Sequence, residues 1–227
     1  MNRFLLLMIS SLLAGSSVAA PFQNGSFEIG GSVPCNTFNV PAGSTTIAGW
    51  TVSVGNIDWL GSPPFCGWQP SQGTASLDLV GTGAGGIGGI QQTFDTVAGA
   101  SYQLSFDLAG NYAAPPVIKP LAVTINGVTS NFTFDTTGRS LNAMGWVRQT
   151  ITFVATGTSS TVNFVSDVSA SGGTLNAGAA LDNVTVTVVG QAVVATPVTV
   201  PMNWAQWGAI IAIFLAGFAV IGRSRGK

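Results

Sequence analysis

In the stretch SYQLSFDLA, residues 101–109, apolar Tyr102, Leu104, Phe106 and Leu108 alternate with Gln103, Ser105 and Asp107. Successive side chains of a strand point to opposite faces, so this alternation marks a strand with one face in a core and the other toward water. In LAVTINGVTSNFTF, residues 121–134, the pair Asn126-Gly127 separates two alternating runs. Both residues accept the positive φ of a type I′ turn, which predicts a β-hairpin. Further strands are expected over 77–80, 147–154, 161–165 and 180–189. No amphipathic helix lies between them and no internal repeat divides the chain. The expected fold class is therefore all-β, an antiparallel two-sheet sandwich of jelly-roll type over residues 21–190. Only 7% of the residues are charged, against ~25% in ordinary soluble domains, which suits short strands and turns rich in Gly, Ser, Thr and Val.

The two ends are set apart from this domain. Asn2 and Arg3 precede the apolar run Phe4 to Leu13, and Ser17-Val18-Ala19-Ala20 follow. Charge, apolar run and small residues in that order predict a secretory signal peptide over 1–20, cut after Ala19 or Ala20. At the other end Trp204 to Gly222 carry no charge, and as a helix they span ~28 Å, about the thickness of a bilayer core. Arg223, Arg225 and Lys227 follow at once. Positive charge resists translocation, so 223–227 are expected to stay cytoplasmic while everything before Trp204 is exported. Residues 191–203 form a linker with a short proline motif. The expected localisation is an exported domain, anchored in the membrane by its tail or released to the cell surface or matrix once a sorting protease removes the tail.

All eight acids lie in the exported part, where only Lys119, Arg139 and Arg148 oppose them, leaving a net charge of −5. That charge repels phosphate backbones and excludes nucleic acid as a partner. Cys35 and Cys66 also lie there. An oxidising compartment favours their pairing, and closing a loop of about 31 residues contributes roughly 3 to 4 kcal/mol in the chain-entropy model.

The chain has no histidine, which removes the commonest general base, proton shuttle and metal ligand together. Two carboxylates alone can still hydrolyse a glycoside, but no spacing among the eight acids singles out a pair. GTGAGG, residues 81–86, matches G-x-G-x-x-G after an expected strand. It runs on into IGGIQQTF, a glycine-broken strand, and lacks the helix that a dinucleotide site requires. Sequons at Asn24, Asn131 and Asn183 arise by chance in a chain this rich in Ser and Thr.

In AALDNVTVTVV, Asp182 shares strand parity with Val184, Val186 and Val188, which places its carboxylate on the core face. A buried carboxylate needs backbone N–H groups, a distant arginine or a cation to compensate it. Where the first and last strands of a sandwich are neighbours, Glu28, the only glutamate, meets Asp182. Two carboxylates with nearby carbonyl oxygens make a calcium site. Glu28 and Asp182 are thus the expected metal ligands and calcium the expected cofactor.

The ordered set NGSFE, IAGW, GNIDWLG, ASLDLVG, GGIQQTF, YQLSFDLAGN, MGW and ALDNVTV resembles the choice-of-anchor C family, related to the plant cell-wall domain of unknown function 642. The resemblance covers about Asn24 to Val188. It implies a galactose-binding-like jelly roll, a calcium between the first and last strands carried on Glu28 and Asp182, and a polysaccharide partner. The tail VPMNWAQWGAIIAIFLAGFAVIGRSRGK is similar to bacterial C-terminal sorting signals. It departs from their Pro-Glu-Pro form and partly follows the Ile-Pro-Thr-Leu form.

Sugar binding needs flat apolar surfaces beside hydrogen-bonding groups. Trp50 and Trp146 are assigned to the core. Trp59, Trp68 and Tyr112 are the better stacking candidates: Trp68 follows Pro63-Pro64-Phe65-Cys66-Gly67, and Tyr112 heads the proline-rich AAPPVIKP. Trp68 and Tyr112 are the expected glycan platform, with Asn111 and Asp58 as partners for hydroxyl groups. The expected function is non-catalytic glycan binding. A structural surface protein that binds protein partners and a two-carboxylate hydrolase are the alternatives.

Overall fold

The computed structural model describes residues 20–31, 38–61, 68–171 and 175–191, all within one compact unit. The expected Cys35–Cys66 disulfide, residues 1–19 of the signal peptide and the tail from residue 192 lie outside the described residues. Ten antiparallel strands follow in order: β1 (Phe38–Pro41), β2 (Thr51–Leu60), β3 (Ser76–Asp78), β4 (Ile87–Asp95), β5 (Ser101–Gly110), β6 (Ile118–Ile125), β7 (Val128–Asp135), β8 (Val147–Val154), β9 (Ser159–Asp167) and β10 (Ala179–Gly190). They form a jelly-roll-like sandwich with strand order β7-β6-β9-β4-β2-β3-β10-β5-β8, and β1 pairs with β2.

β2 belongs to both sheets. Its first half pairs with β4 and its second with β1 and β3. The switch falls at Gly55, with φ +58°, where a Cβ would lie 2.0 Å from the Ile87 carbonyl oxygen. Only glycine bends a strand this tightly against another backbone. The hairpin at Asn126-Gly127 is present, with both residues at positive φ. Gly81–Gly86 forms a turn into β4 and not a helix.

The inner faces enclose an aromatic cluster. Trp50 meets Phe27 at 5.3 Å and Phe164 at 6.2 Å, and Phe106 meets Phe164 at 5.3 Å. The two indoles bury their N–H groups against the N-terminal segment: Trp50 Nε1 donates to the Asn24 carbonyl and Trp59 Nε1 to that of Phe27. That segment lies along β10, where the Val184 N–H donates to the Gly25 carbonyl at 2.8 Å.

A bulge in β10 overturns the expected facing of Asp182. Asp182 pairs with Asp107 but Thr185 with Ser105, so three residues of β10 span two of β5. The extra residue, Asn183, has φ +50°. One inserted residue reverses the parity of everything beyond it. Asp182 therefore shares the outer face with Asp107, and the alternation seen in Val184, Val186 and Val188 does not extend back to it.

Candidate functional site

On β5, Leu104, Phe106 and Leu108 enter the core, so Asp107 faces outward. The segment Gln69–Ser71 and the loop Asn142–Trp146 stand on either side of it and enclose a groove of ≈ 420 Å³. That volume lies within the range of small-ligand pockets, ~300 to 1,000 Å³. The two walls are tied together, since the Gln69 N–H donates to the Leu141 carbonyl at 3.0 Å and Trp146 Nε1 donates to the Gln69 carbonyl at 3.0 Å. Trp146 is half-buried, packed against the core, and lines the groove.

Asp107 is ionised. Burial raises its carboxyl, but hydrogen bonds from Ser71 Oγ, Asn183 Nδ2 and Arg148 outweigh this and hold it below the ordinary carboxylate value. Arg148 sits 3.1 Å from Asp107 and also donates to the Asn183 carbonyl and Thr185 Oγ1. As an exposed pair it adds about 0 to 1 kcal/mol at most; its effect is to fix the carboxylate. The groove thus combines an indole, a fixed anionic acceptor and the exposed amides of Gln69 and Asn142.

Glu28 and Asp182 meet neither each other nor the groove surface, but both hold the segment that forms one wall. Asp182 Oδ2 accepts the N–H groups of Ser71 and Gln72 at 2.8 and 2.9 Å, and its Oδ1 accepts that of Asn183. Glu28 Oε1 accepts the N–H groups of Thr74 and Ala75, and Oε2 the Thr74 hydroxyl. Asp182 is 0% exposed, and burial pushes its carboxyl up to about 6 against the pull of these N–H bonds. Calcium needs several oxygen ligands, whereas every oxygen of this pair already faces a donor whose positive end repels a cation. Among the described residues no three His, Cys, Asp or Glu side chains cluster. The donor set does not fit calcium.

The expected glycan platform is not assembled. Trp68 is 4% exposed within the core and donates from Nε1 to Ser76 Oγ at 2.9 Å, so it has no open face for a sugar. Tyr112 is half-buried against the core. Asn111 Nδ2 donates to Asp78 Oδ2 at 2.7 Å, and its Oδ1 accepts the Ala113 N–H. Asp58 is buried, accepting from Asn39 Nδ2 and from the backbone and hydroxyl of Thr82. Asp58 and Asn111 therefore hold loops. Beneath them Asp78 is fully buried, and burial pushes its carboxyl up to about 7. Lys119, 0% exposed, donates to the carbonyls of Ala114 and Ala177, and burial lowers it to about 8.

Sequence reasoning missed Trp146, Gln69, Ser71 and Asn142 as site residues. It put Asp107 on the polar face of its strand, but nothing local says that two loops wall it in.

The fold and groove define a jelly-roll-like β-sandwich with an aromatic-lined polar cleft on an outer face. The chain belongs to the family described as Protein of unknown function (DUF642), whose model matches residues 20–187. It is similar to Halomucin of Haloquadratum walsbyi (strain DSM 16790 / HBSQ001), 30% identical over 220 residues. The match covers 91% of this chain and 2% of that protein, so the chain spans about 2% of the relative's length. Solved structures that resemble it include TmCBM61 in complex with β-1,4-galactotriose (TM-score 0.45, 13% identity, 74% of this chain and 98% of that one). The CBM22-1 xylan-binding domain from Paenibacillus barcinonensis Xyn10C is similar at TM-score 0.42 and 16% identity, over 68% of this chain and 95% of that one. Arabinose-bound MgGH51 α-L-arabinofuranosidase is similar at TM-score 0.47 and 14% identity, over 75% of this chain and 26% of that one.

Proposed function

We propose that the domain binds a saccharide without acting on it, in the groove between Gln69–Ser71 and Asn142–Trp146. The observation that carries this is the placing of the Trp146 indole beside the fixed carboxylate of Asp107. The face of an indole offers a flat apolar surface to the C–H face of a sugar ring, while Asp107 accepts from its hydroxyls and the amides of Gln69 and Asn142 both donate and accept. In this reading the signal peptide exports the domain. The apolar tail tethers it until a sorting protease acts, supported by the order of apolar run, basic end and proline motif in the sequence.

Hydrolysis is the competing chemistry, and one observation bears on it. Asp107 and Asp182 are cross-strand neighbours whose environments move their carboxyls in opposite directions, the pattern expected of an acid and base pair. Asp182, however, is sealed beneath Ser71 and Gln72, so it has no path to a glycosidic oxygen. Binding of the purified full chain to an array of neutral and acidic oligosaccharides, including β-1,4-galactotriose and xylo-oligosaccharides, tests the proposal. Binding is expected in the native chain and is lost in Trp146→Ala. Retention of binding in Trp146→Ala removes the groove from consideration, and turnover of any arrayed sugar restores the hydrolase.

A further inference from the structure

We infer that Glu28 and Asp182 are positioning residues of the groove, holding the segment 69–75, whose residues 69–71 form one wall, by four backbone N–H groups with no cation; this rests on the groove being the saccharide site. The N–H groups of Ser71, Gln72, Thr74 and Ala75 all turn toward these two carboxylates. Gly73, between the two pairs, has φ +67°, and a Cβ there would lie 2.3 Å from Glu28 Oε1. A glycine at this point lets one short turn present amides to two carboxylates from different parts of the chain. Each carboxylate holds two adjacent amides, so four hydrogen bonds fix a segment with little secondary structure.

The link to the groove runs through Ser71. Its N–H is on Asp182 while its hydroxyl is on Asp107 Oδ2 at 2.7 Å, so moving the backbone off Asp182 also frees the acceptor that faces the ligand. Gln69, two residues earlier, carries the contact with Trp146 Nε1. Neither Glu28 nor Asp182 lines the groove. Their effect on binding is exerted through the position of Gln69 and Ser71.

Amide hydrogen exchange on the full chain, read by mass spectrometry over residues 69–76 with calcium and with a chelator, tests this without any sugar. Exchange at Ser71 and Gln72 should quicken about tenfold or more in Asp182→Asn, and at Thr74 and Ala75 in Glu28→Gln, each variant leaving the other pair less affected. Calcium should change neither pattern. Where Asp182→Asn fails to fold, Thr74→Val, which removes only the hydroxyl bond at an exposed site, should still quicken Thr74 and Ala75. Unaltered exchange in Glu28→Gln and Thr74→Val overturns the inference. So does a calcium-dependent slowing that disappears in Asp182→Asn, which would make the pair a cation site. For binding, β-1,4-galactotriose and xylotriose are the probes, and affinity should fall at least several-fold in Glu28→Gln. A chain that shows the expected exchange but binds neither probe nor any arrayed sugar removes the saccharide site and leaves the clamp. Undiminished affinity in a loosened Glu28→Gln shows that the wall's position does not matter to binding.

Discussion

The domain should become less stable as pH rises from 5 to 8, opposite to what a surface of ordinary carboxylates produces. Asp78 is fully buried, and burial raises its carboxyl from 3.8 to about 7 despite hydrogen bonds from Val80, Asn111 and Gly178. In the unfolded chain it titrates near 3.8. Between those values the unfolded state binds fewer protons than the folded one, so stability is fully present below the unfolded value and is lost as pH climbs through the folded one. About three pH units at ~1.4 kcal/mol each give a loss of about 4 kcal/mol between the unfolded and folded values, and the two units above pH 5 carry about 3 kcal/mol of it. Asp182, raised to about 6, acts in the same direction over a narrower window. Lys119 opposes this only above about 8, because its lowered value leaves it protonated in both states below that pH. With no histidine in the chain, no unperturbed side chain titrates between pH 5 and 8. Urea unfolding of the purified full chain at pH 5, 6, 7 and 8 measures the slope. Asp78→Asn should flatten it over pH 6 to 8, whatever its effect on absolute stability. A wild-type stability that is constant or rises from pH 5 to 8 would falsify the assignment of a protonated, buried Asp78.

Three further outcomes are expected. Trp68→Ala should cost about 3 to 5 kcal/mol in the same unfolding assay because it empties a core site and strands Ser76 Oγ, whereas Trp146→Ala should abolish glycan binding at a smaller loss of stability. The reverse ranking returns Trp68 to the binding site. Gly25→Ala should prevent folding or lower stability by more than about 3 kcal/mol, since its Cβ would sit 1.8 Å from the Val184 carbonyl oxygen; circular dichroism and melting of the variant check it, and a near-native melt separates the N-terminal segment from β10. Intact mass of protein extracted from the cell surface should show loss of the segment from Trp204 to Lys227, and a mature form that keeps Lys227 makes the tail a permanent anchor.

What the sequence determined by itself is the part of the fold written in local alternation. β5, the β6–β7 hairpin and β8 follow from side-chain parity and from Asn126-Gly127, because a strand's two faces and an I′ turn are set by residues a few positions apart. β2 does not yield to that reasoning: Gly55 turns it from one sheet to the other, so its two halves obey different neighbours. The same limit governs the site. Local parity places Asp107 on the polar face, but the bulge at Asn183 turns Asp182 to that face too, and no local pattern announces a bulge. Trp68 is sealed in the core while Trp146, packed against the core, stays partly open and lines the groove, since whether an indole is sealed or left open depends on which distant segment packs over it. Glu28 is legible as an isolated charge that needs a partner. Its partners are amides 46 and 47 residues away, a pairing that exists only once the chain has folded and backbone donors, which carry no signature in the sequence, have been brought to it.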